Sequence, residues 1–363
     1  MATFVVRRLA VRFSIIVLPD ERRVHEQPTP TVGGAAMYVG MLVAMLVASQ
    51  LPGLAPLFRG SSDPLGLVVG ASVIFTVGMV DDLREMSAPA KLSGQILAGT
   101  VLYLFGVNML YFRAPFLSTT LVLSADLIPV LTVIWVVGMA NAVNLVDGLD
   151  GLAAGIVAIA AAAFFFYTHQ LVSSGTIAPG SGPLFCALAV GMCVGFLPHN
   201  FHPAKIFMGD AGALLLGLIM AASTMSVVGQ TDQDFSGRTF FFFAPVVIPF
   251  LILGIPILDT AFAILRRAGR RINPAVADKN HLHHRLMRLG HGQTRSVLIL
   301  WTWTALLSGL VLAPSYVKGS LSAVPFGIAG LAVALYTLFG VRGRSEPINI
   351  SRGGRSPGGP GPT

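Results

Sequence analysis

Asn141-Ala-Val-Asn-Leu-Val-Asp-Gly-Leu-Asp-Gly-Leu-Ala-Ala-Gly155 closes a long apolar run with two amides and two carboxylates. An ionised carboxylate is costly to carry into hydrocarbon, so acids at a membrane edge face a partner, a metal ion or a water-filled cavity. Asn141, Asn144 and Asp147 recur every third residue, and on a helix each is turned only about 60° from the last. They form one slanted polar face. Asp150 continues the spacing, but Gly148 and Gly151 argue for a turn there that brings it back beside the others.

Working outward, the whole chain is apolar. Of its 363 residues 54% are hydrophobic and 11% charged, with a mean hydropathy of +0.76; soluble domains carry about 25% charged residues. The chain reads as an all-α polytopic membrane protein. Windows of about 20 apolar residues predict ten full transmembrane helices, at 32–51, 64–80, 91–111, 127–146, 151–172, 183–200, 211–229, 241–265, 297–313 and 321–341. A short first helix precedes them, because residues 4–18 are apolar but interrupted by Arg7, Arg8 and Arg12, and they lack a signal peptide's cleavage site. Residues 1–341 form one multi-span domain, and the Gly-, Pro-, Ser- and Arg-rich tail 342–363 is expected to be disordered.

Charge sets the orientation. The hydrophilic segments 19–31, 81–91, 141–150, 199–210 and 266–296, with both chain ends, hold 20 of the 24 Lys and Arg residues. The positive-inside rule makes that side, including the C-terminus, cytoplasmic. The formal charge of +8 is thus mostly a topology signal, and no nucleic-acid-binding module accompanies it. Cys186 and Cys193 share one face of one span, too far apart to bridge, and read as packing residues.

The other polar clusters fall on the same side. Asp81 and Asp82 end one span, and adjacent aspartates at a membrane edge call for a cation or a proton. Lys91 heads the next span, as a snorkelling anchor or a phosphate contact. In His199-Asn200-Phe-His-Pro-Ala-Lys-Ile-Phe207-Met-Gly-Asp210, Asp210 stands where an N-cap is expected, at a helix end that also suits anions. Phe207 is either a stacking platform or a lipid anchor. The largest loop carries His281, His283 and His284 beside four arginines at 266–271. Without Cys or Glu at zinc-site spacing, that set suits phosphate oxygens or anionic head groups better than zinc. Asp259, inside or at the end of a span, is suspect on position alone.

Carboxylates of this number suit a hard divalent ion, Mg²⁺ or Mn²⁺, which is commonly held by one or two carboxylates together with substrate phosphates. Phosphoryl transfer needs that ion, cations to hold oxygens and an aligned nucleophile. No P-loop is present to hold a nucleotide.

Four motifs, Asp81-Asp82, Asn141-x-x-Asn-Leu-x-Asp-Gly-x-Asp-Gly-Leu, Phe207-Met-Gly-Asp-x-Gly and His281-Leu-His-His, with Pro28-Thr-Pro-Thr-Val-Gly-Gly before them, resemble the polyprenyl-phosphate N-acetylhexosamine-1-phosphate transferase superfamily. The resemblance runs from about Arg7 to Leu338. It implies a Mg²⁺-dependent transfer of a sugar 1-phosphate from a UDP-sugar to a polyprenyl phosphate (undecaprenyl or decaprenyl), with release of UMP. By the same resemblance Asp210 binds the metal with Asn144, Asp81 is a general base beside Asp82, and Asp147 belongs to the catalytic patch. Asn141, Asp150, Asn200 and Phe207 are matched to the substrate, chiefly its uridine, and Lys91, His281, His283 and His284 to diphosphate or sugar. The form His281-Leu-His-His-Arg, after Asp278 and Asn280, looks like the UDP-GlcNAc branch, which initiates a lipid-linked cell-envelope polysaccharide at the plasma (inner) membrane. The phospho-MurNAc-pentapeptide translocase branch is the alternative within the chemistry, and a transporter the alternative outside it. A homodimer is a candidate assembly. Superfamily members begin with a complete span before the Pro-Thr-Pro signature, so the short Arg-containing start is expected to reflect either a start codon upstream of Met1 or a curtailed first helix.

Overall fold

The computed structural model describes residues 2–13, 29–112, 121–175, 177–228, 292–316 and 324–339. Among them the chain is helical apart from one small antiparallel pair, β1 (Tyr111–Phe112) with β2 (Leu121–Val122), in which Tyr111 faces Val122. The helices are α1 (Ala2–Arg12), α2 (Gly33–Gln50), α3 (Ala55–Gly60), α4 (Asp63–Leu83), α5 (Ala88–Leu104), α6 (Leu127–Val146), α7 (Leu152–Ser173), α8 (Gly182–Asn200) and α9 (Gly209–Val228), followed by α10 (Gln293–Tyr316) and α11 (Val324–Phe339). Proline stands in the first turn of α3, α4, α5 and α8, where its missing N–H would have no intrahelical partner anyway.

Nine of the ten expected spans are matched by a helix. Six of these, α2, α4, α6, α7, α8 and α9, are long and apolar enough to cross a membrane, and α5, at 17 residues, is shorter than any of them. The first described helix, α1, runs from Ala2 to Arg12, and residues 14–28 lie outside the described residues. The span expected at 241–265, with Asp259, and most of the 266–296 loop, with His281, His283 and His284, lie outside the described residues. So does the tail 342–363.

The bundle is arranged around α9, which packs against α2, α4, α6 and α8. Between helices in lipid, association depends on close packing and on small residues that let backbones approach. That rule is obeyed on three sides of α9. A Cβ on Gly34 of α2 would lie 2.3 Å from Gly212 N, one on Gly78 of α4 2.4 Å from Ala211 Cα, and one on Gly217 2.5 Å from Ala140 Cα of α6. Residues 29–34 of the Pro-Thr-Pro-Thr-Val-Gly-Gly signature are laid alongside the entry to α9: Phe207 N–H donates to Pro30 O, Gly33 N–H to Phe207 O, and Gly34 N–H to Met208 O. These backbone bonds clamp the segment carrying Phe207 and Asp210.

Candidate active site

Asp81 and Asp82 are adjacent on α4, so their side chains leave the helix about 100° apart. They do different things. Asp81 accepts a hydrogen bond from Met86 N–H on Oδ1 (2.8 Å) and one from Lys91 Nζ on Oδ2 (2.9 Å). Asp82 turns the other way and takes the first amides of α9, Asp210 N–H on Oδ1 (2.8 Å) and Ala211 N–H on Oδ2 (3.0 Å). The N-terminus of α9 is thus capped by a carboxylate from another helix. Asp210 itself lies in the first turn rather than at the N-cap, and the anion that this helix end attracts is the protein's own Asp82. Gly209 makes the close approach feasible. Its φ is +66°, and a Cβ there would fall 2.3 Å from Thr31 O and 2.5 Å from Asp82 Oδ2.

The Asp210 side chain is free to face the cluster. Its Oδ2 contacts Lys91 Nζ and receives Asn144 Nδ2 at 3.4 Å. Asp81 from α4, Lys91 from α5, Asn144 from α6 and Asp210 from α9 thereby meet at one half-buried point. Four helices contribute one group each.

The Asn141–Gly155 stretch divides among several partners. Asn141 and Asn144 lie on the last turns of α6, and Asp147 follows as its C-cap. The turn through Gly148–Gly151, where Gly151 has φ +76°, then starts α7. Asp150 is bonded to the 199–210 loop, its Oδ2 meeting His202 Nδ1 at 2.8 Å and accepting Ala204 N–H at 3.1 Å. Asn200 is 2% exposed. Its Oδ1 accepts Gly151 N–H and its Nδ2 donates to Ile206 O, so it brackets the two loops from beneath. Asn141 pairs with Gln95 of α5. Phe207 is half-buried on the loop before α9. At the far end of the stretch, Gly155 seats Trp301 of α10, whose ring would lie 1.9 Å from a Cβ there.

Gln95, His202 and Trp301 join the site's surroundings although no motif points to them. Gln95 carries one signal, an amide inside an apolar helix four residues after Lys91. His202 carries another, a histidine two residues after Asn200. Trp301 carries none, since nothing in a sequence says which glycine a distant indole will fill.

Asp147 is half-buried between Asp82 and Asp150. Desolvation first, then the charges of those two carboxylates, pushes its pKa up to about 7. The folded state then holds a proton that the unfolded chain, with a carboxylate near 3.8, has released. By linkage this lowers stability progressively as pH rises from about 4 to about 7, with no further loss above that range. Asp147→Asn is therefore expected to raise the thermal midpoint of chelator-treated protein at pH 8 and to converge on the wild type near pH 4. An equal difference at both pH values would contradict the assignment.

Among the described residues no three acidic, histidine or cysteine side chains form a closed metal cage. Asp210 supplies a carboxylate, and Asn144, once its amide turns to present Oδ1 in place of the Nδ2 that faces Asp210, supplies a second hard oxygen; such a pair suits a divalent ion that completes its shell with water and substrate phosphates.

Comparison with known proteins bears on what such a site does. The family model described as glycosyl transferase family 4 matches residues 64–228, which hold every site residue named above except Trp301 and the histidine loop. The decaprenyl-phosphate N-acetylglucosaminephosphotransferase of Mycolicibacterium smegmatis is 37% identical over 95% of this chain and 88% of its own length. The probable undecaprenyl-phosphate N-acetylglucosaminyl 1-phosphate transferase of Bacillus subtilis is 35% identical over 93% and 84%. A phospho-N-acetylmuramoyl-pentapeptide-transferase of M. smegmatis is 33% identical over 79% and 84%. Relatives of this kind displace the transporter alternative. The chain belongs to glycosyl transferase family 4, as a multi-pass membrane sugar-1-phosphate transferase.

Proposed function

We propose that the protein transfers N-acetylglucosamine 1-phosphate from UDP-GlcNAc to a decaprenyl or undecaprenyl phosphate, giving polyprenyl-diphospho-GlcNAc and UMP and so starting a lipid-linked cell-envelope polysaccharide. The observation that carries this reading is the convergence of Asp81, Lys91, Asn144 and Asp210 in a chain whose near relatives over most of its length are named for that transfer. The excess of Lys and Arg on the loops that carry these groups supports a cytoplasmic site in the plasma membrane.

The chemistry follows from the charges. A lipid phosphate has a second pKa near 6 and is largely dianionic at neutral pH. It needs its repulsion from a diphosphate relieved more than it needs a base. Asp210 and the Asn144 amide oxygen would hold Mg²⁺ (or Mn²⁺), and the bound ion supplies charge neutralisation at the diphosphate. Lys91, between Asp81 and Asp210, is placed to exchange a carboxylate contact for a phosphate oxygen. A lipid phosphate oxygen attacks the sugar-bearing phosphorus, a new anhydride bond forms, and the old one breaks with its electron pair leaving on UMP. Both oxygens of Asp81 are engaged, by Met86 N–H and Lys91, which favours direct displacement over a phosphorylated aspartate. Asp150, steadied by His202 and Ala204, and Phe207 are assigned to the uridine, and the histidine loop to the diphosphate or sugar.

Membranes containing the protein, supplied with Mg²⁺ and decaprenyl or undecaprenyl phosphate, are expected to form labelled lipid from UDP-GlcNAc and none from UDP-MurNAc-pentapeptide. Labelling from the pentapeptide nucleotide alone would assign the protein to the other branch.

A further inference from the structure

Gln95 lies on α5 and is 1% exposed. A buried amide in an apolar helix is stable only if its donors and acceptor are met, and here one partner meets both kinds. Asn141 Nδ2 donates to Gln95 Oε1 at 2.6 Å, and Gln95 Nε2 donates back to Asn141 Oδ1 at 3.3 Å. Asn141 Nδ2 also donates to Val137 O on its own helix at 2.8 Å, which fixes its side chain against α6. A reciprocal amide pair constrains both the distance and the rotation between two helices, which a hydrophobic contact does not.

Its place in the bundle gives that constraint a use. Lys91 and Gln95 are four residues apart on α5, and Asn141 and Asn144 are three apart on α6, so each couple shares a helix face. The amide pair is one rung between the helices. One turn nearer the membrane edge, Lys91 and Asn144 both reach Asp210 Oδ2. Lys91 ends in a flexible four-carbon stem, and its ammonium goes where the base of that stem is held. We propose that Gln95 is a positioning residue for the transfer reaction: locked to Asn141, it fixes α5 against α6 so that Lys91 and Asn144 converge on Asp210. Asn141 is then the partner in that lock rather than a substrate contact. This rests on the transferase reading for its kinetic consequence, but the geometry it asserts is independent of the substrate.

The test uses the full-length protein with Gln95→Leu, Asn141→Leu, the double Leu variant, and the exchange Gln95→Asn with Asn141→Gln, which keeps one amide on each helix. A misplacement of about 1 Å can cost about 100-fold in rate, and loss of a supporting partner typically costs about 10- to 100-fold. Each single Leu variant should lose turnover in that range with the KM for UDP-GlcNAc nearly unchanged, the double should be no worse than either single, and the exchange should recover most of the loss. Losses that multiply in the double variant, or single variants with wild-type turnover, would overturn the proposal. Acylation of Lys91 by an amine reagent, followed by peptide mass spectrometry, provides a readout independent of activity. It should be slow in the wild type and the exchange variant and faster in the Leu variants; equal rates throughout would refute the positioning role. If the wild type shows no transfer from UDP-GlcNAc, the functional proposal fails while the Lys91 labelling still decides this one.

Discussion

Asp210→Ala is expected to abolish UMP release while leaving the protein folded. The side chain removed is the one on which Lys91 and Asn144 converge and the carboxylate assigned to the metal. A loss of about 1,000-fold or more corresponds to about 4 kcal/mol of transition-state stabilisation, at 1.36 kcal/mol per decade. Stability should survive because the contact that ties this segment to α4 is made by the backbone N–H of residue 210, which alanine keeps. Removing one acid from a crowded set also relieves repulsion among those that remain. Purified variant protein should therefore elute as the wild type does and melt within a few degrees of it, and transfer at an undiminished rate would refute the metal assignment.

Asp82→Ala is expected to do something different, losing stability and activity together. Its two oxygens are the acceptors for the amides of Asp210 and Ala211 in the first turn of α9. Hydrogen bonds to charged groups contribute about 1.5–3 kcal/mol each, and amides left without an acceptor add a desolvation cost. For this half-buried pair a loss near the lower end, about 3 kcal/mol, is a large share of the 5–15 kcal/mol typical of a domain. Asp82→Asn keeps one acceptor oxygen and should fall between Ala and the wild type in thermal midpoint. An Asp82→Ala protein that melts like the wild type but transfers nothing would make Asp82 a reacting group rather than the anchor of α9. The contrast with Asp210→Ala separates the two aspartates, one acting on substrate and the other on the helix that presents its neighbour.

That contrast also marks what a sequence can carry. The spans are legible because a run of about twenty apolar residues is what a bilayer-crossing helix requires and little else does. The identities of Asp81, Lys91, Asn144 and Asp210 as one cluster are legible through motif resemblance. Pairings are not. Asp81 and Asp82 look equivalent in sequence, and only the direction in which each leaves α4 gives one to Lys91 and the other to α9. Asp210 has the sequence signs of an N-cap, yet the cap is supplied from 128 residues away, a tertiary contact that no local rule contains. Motif resemblance matches Asn200 to the uridine, and the fold buries it with its amide committed to Gly151 and Ile206. It matches Asn141 to substrate, and the fold pairs that residue with Gln95, a glutamine with no motif around it.

The central position of α9 has a consequence for how the protein is made. A chain is built from its N-terminus, and α2, α4, α6 and α8 all leave the ribosome before Gly209 does. Those four helices surround a helix that does not yet exist, so the nascent bundle must carry an open slot lined by Gly34, Gly78 and Ala140. Asp82 waits at its mouth. When α9 enters, the amides of Asp210 and Ala211 find that carboxylate and its side of the slot closes, so the arrival of one late helix, still ahead of α10, is the moment at which Asp210 meets Lys91 and Asn144.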